Sequence, residues 1–70
     1  MEATYQHQQH IIPQLIEDCN NEHNLDRRIE MLYHINSILA KQYQLKIPSL
    51  ITNAYINTAL YRIEETFCLL

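Results

Sequence analysis

Residues 25–45 read LDRRIEMLYHINSILAKQYQL, and the fold turns on how that stretch is phased. Leu25, Ile29, Leu32, Ile35 or Asn36, Leu39 and Tyr43 step by three or four. That spacing lays an apolar stripe along one side of an α-helix. Met31 and Ile38 widen the stripe on one flank. Asn24 is placed to cap the first turn, and Asp26 sits where the positive end of a helix favours a carboxylate. The spacing therefore predicts a helix over 25–45.

On the C-terminal side, Lys46-Ile47-Pro48-Ser49 interrupts the pattern. A residue before proline is pushed out of helical geometry, whereas proline itself suits the first turn of a helix. A second helix is thus predicted over 48–67. Ile51, Tyr55, Ala59 and Ile63 or Arg62 form one row, and Ile56, Leu60, Ile63, Phe67 and Leu70 a second. Together they make an apolar face broader than one neighbouring helix covers. The short link makes 25–45 and 48–67 antiparallel neighbours, a helical hairpin.

On the N-terminal side, Cys19 to Asn24 is a polar break, preceded by Ile11, Ile12, Leu15, Ile16 and Cys19 at helical spacing. Pro13 costs on the order of 3 kcal/mol inside a helix and little at its start. A shorter N-terminal helix is therefore predicted over about 13–20, with residues 1–10 fraying or forming a separate turn. The reading is all-α: a hairpin plus one short helix in a single small domain spanning 1–70.

Composition supports helices. The chain holds no Gly, which removes phosphate-cradling loops, dinucleotide fingerprints, nucleophile elbows and type I′ hairpins. Hydrophobic residues make up 47%, too many for a disordered tail. A chain of 70 residues buries only around 60% of its unfolded surface, so its core is marginal and a partner is a natural supplement.

Net charge is −3, and the five cations are Arg27, Arg28, Lys41, Lys46 and Arg62, of which only the first two adjoin. Nucleic-acid and anionic-membrane binding draw on clustered cations, so neither is expected. No run approaches the length of a membrane span and no basic-then-apolar leader opens the chain, so a soluble, cytoplasmic protein with Cys19 and Cys68 as free thiols is expected.

Candidate chemistry is sparse. His7 and His10 lie three apart, and Cys19 and His23 four apart, but a zinc site needs three or four converging ligands. Glu17/Asp18 and Glu64/Glu65 are adjacent pairs whose side chains diverge by about 100° on a helix. Cys19 has His23 near it, without the oxyanion hole or cleft that thiol catalysis requires. His34 lies near the edge of the stripe, where a partly buried, hydrogen-bonded ring is expected. No catalytic residue, metal site or cofactor is expected, and the chain reads as a non-enzyme.

The tyrosines point elsewhere. Tyr33, Tyr43, Tyr55 and Tyr61 sit on the two main predicted helices and exceed what one core layer holds. Tyr brings large contact area and a polar tip to interfaces, and equally well lays its ring on a core with the hydroxyl in water. The predicted partner-binding set is Ile51, Tyr55, Ile56, Ala59, Leu60, Ile63, Phe67 and Tyr43.

Ala40-Lys41-Gln42-Tyr43-Gln44 resembles the small E-type cochaperones of bacterial type III secretion needle subunits. Those are short helical hairpins with an X-Gln-Tyr-Gln stretch near the helix junction and a final amphipathic helix, which Ile47–Phe67 resembles in length and character. Members pair with a second chaperone and keep the needle subunit from polymerising. The resemblance implies an adaptor that offers an apolar helical face to another helical protein. A second stretch, Ile11–Arg28, is loosely similar to the small biofilm and acid-stress regulators of enteric bacteria. That resemblance implies a homodimer acting on signalling or transcription, with Arg27 and Arg28 as possible DNA contacts.

Overall fold

The computed structural model describes the chain over residues 2–68, with side chains described for 11–66. It is all-helical, with α1 at Glu2–Asn21, α2 at Leu25–Ile38, a 3-10 turn at Lys41–Tyr43, and α3 at Asn53–Cys68. Each helix touches the other two. The expected helical class and hairpin arrangement hold, while three element boundaries move for identifiable reasons.

α1 continues through Pro13 instead of starting there. Proline removes one helical hydrogen bond. Against that, Ile12 on one side of it and Ile16 and Cys19 on the other are buried together, and their shared burial requires unbroken helical phase. Pro13 itself lies on the exposed side.

The α1–α2 corner is built from short polar bonds. The Glu22 carboxylate accepts the backbone N–H groups of His23 and Asn24, both at 3.1 Å. The Asn24 amide oxygen then caps α2 by accepting the Arg27 N–H at 3.2 Å. The two backbone donors, that of Asn24 above all, hold the Glu22 carboxyl below its ordinary value of 4.5. A depressed carboxyl adds stability that is complete above that ordinary value and disappears as pH falls through the lowered one. We expect the melting temperature to drop on acidification below 4.5, with a smaller drop in Glu22→Gln. Equal acid sensitivity in the two proteins would contradict this.

α2 ends at Ile38, short of the expected Leu45. Leu39 turns extended and its N–H bonds the Asn36 carbonyl at 3.2 Å. The Asn36 side chain then fastens the returning chain at Leu45. Its Oδ1 accepts the Leu45 N–H at 2.8 Å and its Nδ2 donates to the Leu45 carbonyl at 3.1 Å, as one strand pairs with another. Gln44 Nε2 donates to the Leu39 carbonyl at 3.0 Å. Tyr43, Leu45 and Ile47 are half-buried and pack on the core, while Gln44, Lys46 and Pro48 face outward. This is the two-residue period of an extended chain. Asn36→Ala removes both bonds to Leu45 and is expected to cost about 1–2 kcal/mol. Amide exchange at Leu45 should speed up more than at Leu32, and unchanged Leu45 protection would refute the clamp.

α3 begins at Asn53 and not at Pro48. Thr52 supplies its cap: Thr52 Oγ1 accepts the Tyr55 N–H at 3.1 Å, and the Thr52 carbonyl opens the helical ladder to Ile56 at 3.0 Å. The core brings Leu32, Ile35 and Leu39 from α2 and its end against Ile56, Leu60 and Ile63 of α3. Ile12, Ile16 and Cys19 of α1 close the third side.

Candidate partner-binding surface

The predicted partner-binding residues divide by burial. Ile51, Ile56, Ala59, Leu60 and Ile63 are between 0% and 9% exposed, sealed into the core of the single chain. The apolar face of α3 is as broad as its sequence indicated, but α1 and α2 cover it jointly. Tyr43 and Tyr55 are half-buried at its edge. The side chains of Phe67 and Leu70, like those of His7 and His10, lie outside the described residues. A partner meeting the folded chain therefore touches the rim of the predicted set.

That rim has a definite shape. The extended segment 44–47 runs beside α3, and between them lies a groove of about 540 Å³ with Leu45, Tyr55 and Ala59 among its walls. Tyr55 ties the two sides together, its hydroxyl donating to the Lys46 carbonyl at 3.2 Å. A smaller hollow of about 30 Å³ adjoins it, sharing Leu45 and Arg62 and adding Leu39, Tyr43 and Thr66. Ala54, Thr58, Arg62 and Thr66 run along the α3 side at four-residue steps. Thr58 and Thr66 donate their hydroxyls back to the carbonyls of Ala54 and Arg62, at 3.1 and 2.9 Å. Those donors are thereby spent within the helix.

Other apolar groups are scattered over the surface. Leu50 is 80% exposed at the bend before α3, and Tyr61, Tyr33 and Leu25 are also exposed. Tyr61 donates to Glu65 at 3.3 Å. The tyrosines thus divide between two roles, with Tyr43 and Tyr55 half-buried on the core and Tyr33 and Tyr61 outside.

Arg28 departs most from its sequence expectation as half of an exposed basic pair. It is 7% exposed, whereas Arg27 is exposed. Its guanidinium bridges all three helices. Nε donates to the Cys19 carbonyl at 3.0 Å, Nη1 to Asn53 Oδ1 and Nη2 to Asn57 Oδ1, both at 2.7 Å. The Cys19 carbonyl lies in the last turn of α1, where aligned peptide dipoles leave negative partial charge. Asn53 and Asn57, one turn apart on α3, offer two further acceptors. Cys19 returns the contact, its thiol donating to the Arg28 carbonyl at 3.7 Å. Burial pushes the Cys19 thiol above its ordinary value, against the opposing pull of Arg28, so it stays protonated at neutral pH. A sequence signal for Arg28 existed: Leu25, Arg28, Leu32, Ile35 and Leu39 step by three, four, three and four, the seam spacing of a packed helix.

The remaining candidates do not converge. Glu17, Asp18, Glu64 and Glu65 are exposed, and Asp18 accepts from Gln14 Nε2 at 3.0 Å. His34, expected at the edge of the core, is exposed, because the stripe is centred on Leu32 and Ile35. Among the described residues no three of His, Cys, Asp and Glu gather as metal ligands. No helix among them is long and apolar enough to cross a membrane. The chain matches no family model, no curated protein and no solved structure.

Proposed function

We propose that this chain is a small, non-enzymatic, cytoplasmic adaptor or cochaperone that offers an apolar helical surface to another helical protein. The single observation that carries the reading is the groove between segment 44–47 and α3, an apolar-walled channel beside the core rather than an enclosed cavity. Apolar grooves flanked by helices receive amphipathic segments of partner proteins. Exposed Leu50 and Tyr61 add contact area on the same polypeptide. The finer assignment, to the E-type cochaperones of type III secretion needle subunits, draws support from Gln42-Tyr43-Gln44. Gln42 and Tyr43 belong to the 3-10 turn that joins α2 to α3, near the helix junction as in that family.

The test is affinity capture of the tagged full-length chain from its native host, followed by mass spectrometry. One helical protein recovered in stoichiometric amount supports the reading. Recovery of nothing but further copies of the chain contradicts it.

A further inference from the structure

We propose that the groove between segment 44–47 and α3 docks an acidic amphipathic segment of a partner, with its apolar side chains between Leu45 and Tyr55 and its carboxylates on Lys46 and Arg62. The inference rests on the adaptor reading and adds the chemistry of the partner.

The charge pattern selects the occupant. The chain as a whole is anionic, with net charge −3. Among the described residues, the walls of the groove and its adjoining hollow nevertheless carry two cations, Lys46 and Arg62, and no carboxylate. Both cations are exposed, and neither forms an ion pair or side-chain hydrogen bond among the described residues. Two of the five cations of an acidic protein therefore flank the same apolar channel, one on each side. A basic partner would face their repulsion, whereas an acidic one finds two exposed cations beside an apolar groove; Arg27 and Lys41, the other exposed Lys and Arg side chains, line neither hollow.

Shape narrows the choice further. From Ala54 to Thr66 the α3 wall spans twelve residue steps, about 18 Å at 1.5 Å per step. That is roughly three turns of a docked helix, whose anchors recur every three or four residues. With the Thr58 and Thr66 hydroxyls bonded to their own helix, the uncommitted side-chain donor on this wall among the described residues is Arg62. A single polar small molecule would leave most of it uncovered.

Two synthetic peptides of about 14 residues test the proposal, a length chosen to cover three to four turns. Both carry Leu at helical i, i+3, i+7 spacing, one with Glu and the other with Lys at the polar positions. Each is titrated into the isotope-labelled full chain and followed by amide chemical shifts. The Glu peptide is expected to move the amides of Lys46, Ala54, Thr58 and Arg62, and to bind about tenfold more tightly than the Lys peptide, an advantage that shrinks as salt is raised. The Lys46→Glu/Arg62→Glu double variant, whose fold is checked by its melting curve, should reverse the preference. Equal binding of the two peptides, no binding of either, or dodecanoate moving the same amides as tightly as the Glu peptide would each overturn the proposal. Shifts centred on Leu25 and Tyr33 would also overturn it, and the adaptor reading would then stand or fall on the capture experiment alone.

Discussion

Leu60→Asp is expected to unfold the chain outright. Leu60 is 1% exposed and lies between the core residues of all three helices. An unpaired carboxylate there must be desolvated or protonated, at a cost of several kcal/mol. A domain of this length has roughly 4–10 kcal/mol of stability in total. Leu60→Ala, which leaves a cavity without a charge, should cost about 2–5 kcal/mol and keep a cooperative transition. Circular dichroism separates the three proteins. Because Leu60 is sealed within one chain, any loss of partner binding in Leu60→Asp follows from loss of the fold. Lys41→Ala, on the exposed 3-10 turn, should leave both fold and binding within about 0.5 kcal/mol of the parent. A folded Leu60→Asp protein would show that the α3 face has been assigned to the wrong side.

The second large effect belongs to Arg28. Arg28→Ala removes a fork that meets three acceptors on α1 and α3. The Cys19 carbonyl loses that partner, whereas Asn53 and Asn57 are exposed and water can reach them. The Cys19 carbonyl keeps the Glu22 N–H at 3.3 Å, so we expect a loss of about 2–3 kcal/mol, most of it from the charged hydrogen bonds and the missing stem. Arg28→Met, which keeps the stem, should recover part of the loss and isolate the polar contribution. Arg28→Lys should not recover all of it, since an ammonium on a flexible stem lacks the planar fork that fits these acceptors together. Arg27→Ala, its exposed neighbour, serves as the control and should change stability by no more than about 0.5 kcal/mol. Equal effects at positions 27 and 28 would show that the three-helix bridge contributes nothing.

These two positions also show how far the sequence can be read. The class of fold and the start of α2 after its cap Asn24 follow from apolar spacing and one polar side chain. The boundary at Ile38 has a signal that competes with a stronger one. Tyr43-Gln44-Leu45-Lys46-Ile47-Pro48 alternates apolar and polar with period two, while Leu39 and Tyr43 also fit period four and carry the helical phase onward. The deciding group is Asn36, whose bonds to Leu45 span nine residues. No local rule anticipates such a pairing. Pro13 misleads in the opposite direction, because burial on either side of it outweighs its local penalty. Thr52 is a sound cap candidate overshadowed by Pro48.

The candidate site is less legible than the fold. Five of its eight predicted residues have the apolar character that an interface and a core share, and only three-dimensional closure by α1 tells the two apart. The groove depends on Lys46 and Arg62 coming together across sixteen positions of sequence. Nothing in the spacing of two isolated cations reveals that.

Whether one copy closes its own core and leaves the groove free is decided by sedimentation equilibrium of the purified chain, combined with melting at several concentrations. A self-sufficient copy has a mass of 8.4 kDa in solution and a cooperative transition whose midpoint does not move with concentration, and that is the expected result. A particle of twice that mass, with a midpoint that rises with concentration, would contradict it, because the surface assigned to a partner would already be taken by a second copy.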